Sequence, residues 1–155
     1  MNVGLLFGVI FASIVIGFVL FFGVTYIGDM NNVSCASQLG QQMTNLESAV
    51  RSTLSLSQGS SQELKILVPG CFQKICFVDP EDPEKNPQQG WDPDRGVLSI
   101  VESQENNVIV YMPGGTVDAY RIDRFEPYVN FCITSTENVI LKNTGREVQI
   151  TLPEF

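Results

Sequence analysis

The four cysteines are the side chains best suited to chemistry in this chain. They are Cys35, Cys71, Cys76 and Cys132. An even number of cysteines in a small exported domain is typical of a disulfide framework, so we expect two disulfides and an oxidising compartment. Four reduced thiols in a cytosolic domain is the alternative. Zinc is disfavoured, because C-x4-C followed by one distant cysteine is not a usual zinc-ligand spacing and the chain contains no histidine.

The spacing of the cysteines narrows their pairing. The segment "CFQKICFV" is rich in Phe, Ile and Val, which is typical of a strand. Five residues of strand place Cys71 and Cys76 roughly 16 Å apart, whereas a disulfide needs Cα atoms within about 7 Å. Two mid-strand cysteines can meet inside a β domain, so we predict the pairs Cys35–Cys71 and Cys76–Cys132. Cys35–Cys76 with Cys71–Cys132 is the alternative.

The sequence offers no other constellation for catalysis. Without histidine there is no Ser-His-Asp or Cys-His pair, and no Gly-rich phosphate loop is present. Carboxylates crowd the loop at residues 79–96, but they lack the order of an EF-hand. We therefore expect a solvated acidic loop held to the core by Trp91, with bound calcium as the alternative. We predict no metal, no cofactor and no enzymatic activity.

The charge of the chain limits its partners. Seventeen Asp and Glu residues outnumber nine Lys and Arg residues, and the net charge is -8. Phosphate groups of nucleic acids and anionic lipids are bound by basic stripes, which an acidic chain does not supply. We expect no nucleic acid among the partners.

Residues 4–28 contain no charged side chain. A run of this length could cross a bilayer core, which needs roughly 20 apolar residues of helix. A secretory signal peptide fits less well, because its apolar region is shorter and follows positive residues. Two alternatives remain open: a membrane anchor that stays in place, and the packing core of a filament that leaves the membrane. With disulfides in the tail, we expect the C-terminus to lie outside the cell.

Small residues recur within this run at helical spacing. Gly4, Gly8 and Ala12 are four residues apart, and so are Ser13 and Gly17. Such patterns let helix backbones approach closely. A lone anchor gains nothing from them, so we predict that these positions pack against copies of the same helix.

The helix is predicted to continue as an amphipathic segment to about residue 54. Apolar side chains recur at spacings of four and three, which marks one face of a helix. They are Cys35, Leu39, Met43, Leu46, Val50 and Leu54. Asn32, in "NVS", forms a possible glycosylation site just before this stripe.

Beyond residue 57, short apolar runs alternate with turn signals, which predicts an antiparallel β domain. The candidate strands are "ELKILVP", "FQKICFV", "GVLSIVES", "NVIVYM", "TVDAYRI", "YVNFCIT", "NVILK" and "REVQITL". We expect "GVLSIVES" and "NVIVYM" to form one hairpin, and "NTG" to turn the chain between the last two strands.

This plan resembles the type IV pilins, and in particular their archaeal-type relatives. An uncharged helix and its amphipathic continuation at residues 3–54 precede a disulfide-bonded β head at residues 63–155. Two features depart from the bacterial pilins. No Lys/Arg-Gly leader precedes Met1, and Leu5 lies near the position at which bacterial pilins carry a glutamate early in the helix. The resemblance implies an α+β fold in which a long N-terminal hydrophobic and amphipathic helix carries an antiparallel β head, like a lollipop.

The resemblance also implies an organisation and a function. We expect a hydrophobic membrane or filament-core helix at residues 1–28, an amphipathic continuation at 29–56 and an extracellular β head at 57–155. The chain would be a structural subunit of a pilus-like filament, partnered by copies of itself and held in the membrane before assembly. Its head would serve adhesion or surface contact. The alternative is a single-pass, membrane-anchored surface protein with a disulfide-bonded binding ectodomain.

Overall fold

The computed structural model describes residues 3–84 and 90–153, and within its first helix it describes the side chains of Gly4 and of residues 7–22 and 35–54. The chain forms two compact units, Met1–Leu39 and Gly40–Phe155. The backbone is helical over α1 (Val3–Leu54). The domain boundaries predicted at residues 28 and 56 stay predictions.

The second unit contains a mixed α and β fold after the end of α1. Its further elements are β1 (Ser61–Ile66), β2 (Lys74–Phe77), α2 (Arg95–Gln104), β3 (Val108–Tyr111), β4 (Val117–Tyr120), β5 (Phe125–Pro127), β6 (Phe131–Ile133), β7 (Glu137–Asn143) and β8 (Val148–Thr151). The strands form two four-stranded sheets. The first sheet has the order β1-β7-β8-β5 and the second has the order β4-β3-β2-β6.

The last hairpin shows how the sequence pattern produces the first sheet. Along β8, Val148 and Ile150 are buried while Gln149 and Thr151 are half-buried, as the alternation of side chains along a strand requires. β8 pairs antiparallel with β7. Gly145 has a φ of 96° in the turn between them, a conformation that glycine adopts without steric cost. The "NTG" turn is therefore confirmed.

The second sheet is covered on both faces. Phe77 of β2 contacts Phe125 of the first sheet, with ring centroids 6.0 Å apart, so one face packs against that sheet. Its neighbour Cys76 points the other way and lies in a buried cluster with Val97 and Val101 of α2. Because side chains alternate along a strand, this short segment binds three layers together: the first sheet, the second sheet and α2.

The predicted fold class needs correction at the N-terminus. Within the described part of the chain, no helix has both the length and the apolarity needed to cross a membrane. The long apolar helix of the predicted lollipop is therefore not seen, although an α+β class still fits.

The β domain also differs from the prediction. "GVLSIVES" was expected to be a strand, but these residues fall in α2. Val97 and Val101 are one helical turn apart and both are buried, so the segment buries a single helical stripe. Asp94 precedes the helix, and its side chain accepts a hydrogen bond from the backbone N–H of Val97 at 2.9 Å. This N-cap fixes the helix start and overrides the β propensity of the β-branched residues.

A short strand that the sequence analysis did not predict completes the first sheet. β5 runs parallel to β8, with Phe125 opposite Val148 and Pro127 opposite Ile150. The head is therefore not wholly antiparallel. Three residues that include a proline give too little alternation to reveal a strand, and proline is tolerated here because β5 is an edge strand.

Candidate assembly surface

The first unit presents an apolar segment, residues 7–22 of α1, whose side chains are exposed. Large hydrophobic side chains along it are between 43% and 71% exposed, the extremes being Val15 and Phe21. Consecutive exposed residues from Phe18 to Phe22 cover the whole circumference of the helix. A helix that is hydrophobic on all sides is normally buried, so this segment is the surface in the described chain that most needs a partner.

The small residues singled out for helix packing lie on this exposed surface. Gly4, Gly8, Ala12, Ser13 and Gly17 are all exposed. A Cβ atom added at Gly4, Gly8 or Gly17 would meet nothing within 4 Å, so the approach to the backbone is open. The Ser13 hydroxyl donates to the carbonyl oxygen of Val9 at 2.8 Å, which satisfies it within the helix. That copies of the chain meet at these positions stays a prediction.

Phenylalanines form a ridge beside the small residues. Phe7, Phe11, Phe18 and Phe22 lie within about 60° of one another around the helix at 100° per residue. The rings of Phe18 and Phe22 are stacked with centroids 6.1 Å apart. This Phe ridge was not predicted from the sequence, although the spacing of four within the pairs Phe7–Phe11 and Phe18–Phe22 was the available signal.

Two disulfides are present, and one of them matches the predicted pairing. Cys76 and Cys132 are directly opposite each other on β2 and β6 and are joined by a disulfide, so the alternative pairs Cys35–Cys76 and Cys71–Cys132 are excluded. Cys35 and Cys71 are also disulfide-bonded, and none of the cysteines is free. Two disulfides indicate an oxidising, extracellular or secreted location.

The acidic loop at residues 79–96 has structural roles in its described parts. Trp91 is buried, and its indole N–H donates to the carbonyl oxygen of Pro83 at 2.8 Å, which confirms its role as the anchor of the loop. Asp94 caps α2. In the described residues, no group of three or more Cys, Asp or Glu side chains is arranged to hold a metal ion. The side chain of Asn32, the possible glycosylation site, lies outside the described ones.

A polar cleft of about 580 Å³ opens in the second unit. It is lined by charged residues from the end of α2, from the β4–β5 loop, from β5 and from the β7–β8 turn. Glu126 lies half-buried at its wall. The sequence alone does not single out this residue, because the carboxylates around it come from distant parts of the chain.

No known protein supplies a functional assignment. Comparison of the chain with protein families, with curated proteins and with solved structures finds no match. The function has therefore to be inferred from the apolar segment, the disulfides and the polar cleft.

Proposed function

We propose that this chain is a structural, non-catalytic subunit of an extracellular filament. In this proposal the apolar segment packs against the same segment of neighbouring copies, and the disulfide-bonded β domain is displayed on the outside for adhesion or surface contact. The observation that supports it best is the exposure of apolar side chains around the whole circumference of residues 7–22.

The energetics require a partner for the apolar segment. Burying an apolar side chain that is half exposed stabilises a protein by about 1 kcal/mol at 25 cal/mol per Å². Twelve large apolar side chains are exposed along residues 7–22, which corresponds to roughly 10 kcal/mol of burial energy left unused in a single chain. This exceeds the lower estimates for the cost of fixing two molecules together. Burial of the segment against a partner therefore favours association.

The chemistry of the segment favours a copy of itself as the partner. The segment carries no charge, so its partner must present an equally apolar surface. The Phe ridge projects from one side of the helix, and the neighbouring stripe at Gly4, Gly8 and Ala12 leaves room for a ridge. A contact between two different faces of identical helices is heterologous, and such contacts generate helical filaments when the rotation between copies does not close into a ring.

The second unit supports an extracellular setting. Its Cys76–Cys132 disulfide is buried in the β domain, and the chain carries a second disulfide as well. Cross-links of this kind persist in oxidising compartments. The resemblance to archaeal-type pilins adds the same expectation of a subunit displayed at the cell surface.

Assembly of the full-length chain after detergent removal tests the proposal. We expect the wild-type chain to sediment as large polymers, and Gly8→Leu with Ala12→Leu to sediment as small species, because overpacking a close contact costs about 1–3 kcal/mol per site. The matched control is Gly8→Ala with Ala12→Gly, which keeps both positions small and should polymerise like the wild type.

Two outcomes would contradict the filament proposal. Normal polymers from the double leucine variant would show that the small residues are not the packing face. A wild-type chain that instead inserts singly into lipid vesicles, and never polymerises, would favour the membrane-anchored surface protein.

A further inference from the structure

Glu126 is the central residue of the edge strand β5. Its two neighbours, Phe125 and Pro127, are buried in the core, and side chains alternate along a strand. Glu126 therefore projects from the opposite face, where it lines the polar cleft of about 580 Å³. An acidic side chain is thus fixed at the point where the weakest strand of the first sheet meets the cleft.

The register of the first sheet places a second carboxyl group beside Glu126. β5 is parallel to β8, and Glu126 is opposite Gln149. Glu147 is two residues before Gln149, so it lies on the same face and diagonally next to Glu126. The side chain of Glu147 is close enough to hydrogen-bond with Glu126 when Glu126 is protonated.

A third carboxyl group comes from the second sheet. Asp79 follows the end of β2 and is only 6% exposed. Its backbone N–H donates to Oδ1 of Asn130 at 2.7 Å, and its own Oδ1 accepts from the backbone N–H of Glu81 at 2.9 Å. These contacts fix the carboxyl group, which is also close enough to hydrogen-bond with protonated Glu126. Glu126 therefore bridges the two sheets.

Hydrogen bonds between carboxyl groups require a proton, because an ionised carboxylate only accepts. The pKa of Glu126 is raised to about 7. The largest cause is burial, which disfavours the charged form. The hydrogen bond and the charge of Glu147 come next, followed by Asp79. Glu81 beside Asp79, and Glu102 and Glu105 at the end of α2, add negative charge to the same cleft.

Positive charges face the cleft as well. They are Arg121 and Arg124 of the β4–β5 loop, which also contributes the carboxylate of Asp123, and Arg146 of the β7–β8 turn. Arg121 is already paired with Glu105 and lies 3.6 Å from Asp123. The pKa of Glu126 rises despite these arginines, so burial and the neighbouring carboxyl groups outweigh them.

We propose that Asp79, Glu126 and Glu147 form a proton-dependent clasp between the two sheets of the β domain. With a proton on Glu126 the three side chains are hydrogen-bonded and β5 is held in place. Loss of that proton leaves three carboxylates in contact, and their repulsion loosens β5. The strand is suited to release, because it has three residues and, within residues 3–84 and 90–153, pairs only with β8. The clasp is independent of how the chain assembles.

Hydrogen exchange followed by mass spectrometry tests the clasp on the full-length chain. The reporters are the amides of Val148, which donates to Arg124, and of Tyr128, which donates to Ile150. After correction for the intrinsic pH dependence, we expect exchange at both amides to be about 10-fold faster at pH 8 than at pH 6. Over this range Glu126 loses its proton, which favours local opening by the equivalent of roughly one pKa unit. Amides of the β1–β7 ladder should not change.

Substitutions decide whether Glu126 is the cause. Glu126→Gln keeps a neutral hydrogen-bonding side chain and should abolish the pH dependence of exchange at Val148. Glu63→Gln, on exposed β1, removes the same charge and should leave the dependence intact. The clasp is overturned if wild type and Glu126→Gln show the same dependence.

A second measurement covers the case in which Glu126→Gln does not fold. The side-chain carboxyl of Glu126 in the wild-type chain can be titrated by carbon NMR. We expect a midpoint near pH 7. A midpoint in the ordinary glutamate range, near 4.3, would overturn the clasp.

Discussion

The side-chain amide of Asn143, on β7, donates to the carbonyl oxygen of Thr53 near the end of α1 at 3.1 Å. The same amide also contacts the carbonyl oxygens of Leu54 and Leu56 at 3.3 and 2.9 Å. The last carbonyl groups of a helix have no partner within the helix, so one buried side chain satisfies the end of α1. Its own oxygen accepts from the backbone N–H of Gly145 at 2.7 Å, which also fixes the β7–β8 turn.

Replacing Asn143 should destabilise the β domain strongly. Asn143→Ala leaves several buried backbone groups without partners, and we expect a loss of about 2–3 kcal/mol in the free energy of unfolding. For a domain of this size, this lowers the melting temperature by about 10 °C. The control is Asn138→Ala on the same strand, where the side chain is exposed. Equal melting temperatures for the two variants would contradict the helix-end role.

The N-cap of α2 gives a smaller and local effect. Asp94→Ala removes the hydrogen bond to Val97, and we expect a loss of about 1 kcal/mol, the usual value for an N-cap. Asp92→Ala removes an exposed carboxylate of the same loop outside the helix and should cost much less. Chemical denaturation measures both. If Asp92→Ala is the more damaging change, the start assigned to α2 is wrong.

The Cys76–Cys132 disulfide should contribute substantially to stability. It closes a loop with a sequence separation of 56 residues, for which the chain-entropy estimate is about 4 kcal/mol. We expect Cys76→Ala with Cys132→Ala to lower the unfolding free energy by about that amount, as measured in urea. Peptide mapping without reduction should recover Cys76 joined to Cys132 in the wild-type chain. Recovery of Cys71 joined to Cys76 would contradict the structure.

The carboxyl cluster predicts how stability depends on pH. The pKa of Glu126 rises from an ordinary value of 4.5 to about 7 in the folded state. Between these pH values the folded chain keeps a proton on Glu126 that the unfolded chain has lost. The stabilisation from protonated Glu126 is therefore complete below about pH 4.5 and is lost as the pH rises towards 7.

Urea denaturation at pH 4.5 and 7.5 measures this contribution. Because Glu126 is partly exposed, solvent screening reduces the expected difference between wild type and Glu126→Gln to about 1–2 kcal/mol. Glu63→Gln is the control and should follow the wild type. An identical change with pH in wild type and Glu126→Gln would show that the cluster does not hold a proton.

The sequence predicted the parts of the fold that depend on the local pattern of residues within a single strand. The apolar run "REVQITL" predicted β8, and the mid-strand positions of Cys76 and Cys132 predicted their disulfide. α2 was missed because its β-branched residues favour a strand when judged singly. The cap at Asp94 and the spacing of Val97 and Val101 were the signals that identify it as a helix.

The sequence could not show the carboxyl cluster, for a different reason. Asp79, Glu126 and Glu147 are far apart in the chain, and only the register of β5 on β8 and the end of β2 bring them together. Each is ordinary in its local sequence. The apolar segment is the opposite case, because its composition alone predicts a surface for association, and the structure adds the exposure of its side chains.

Electron microscopy of sheared cell-surface material, with mass spectrometry to identify this chain, tests the filament proposal most directly. The account predicts regular filaments composed of this chain, with the apolar segments in the core and the β domains outside. It also predicts that cells expressing Gly8→Leu with Ala12→Leu lack them, while Gly8→Ala with Ala12→Gly retains them. Wild-type cells that carry the chain at the surface as dispersed single molecules, with no filament containing it, would contradict the account.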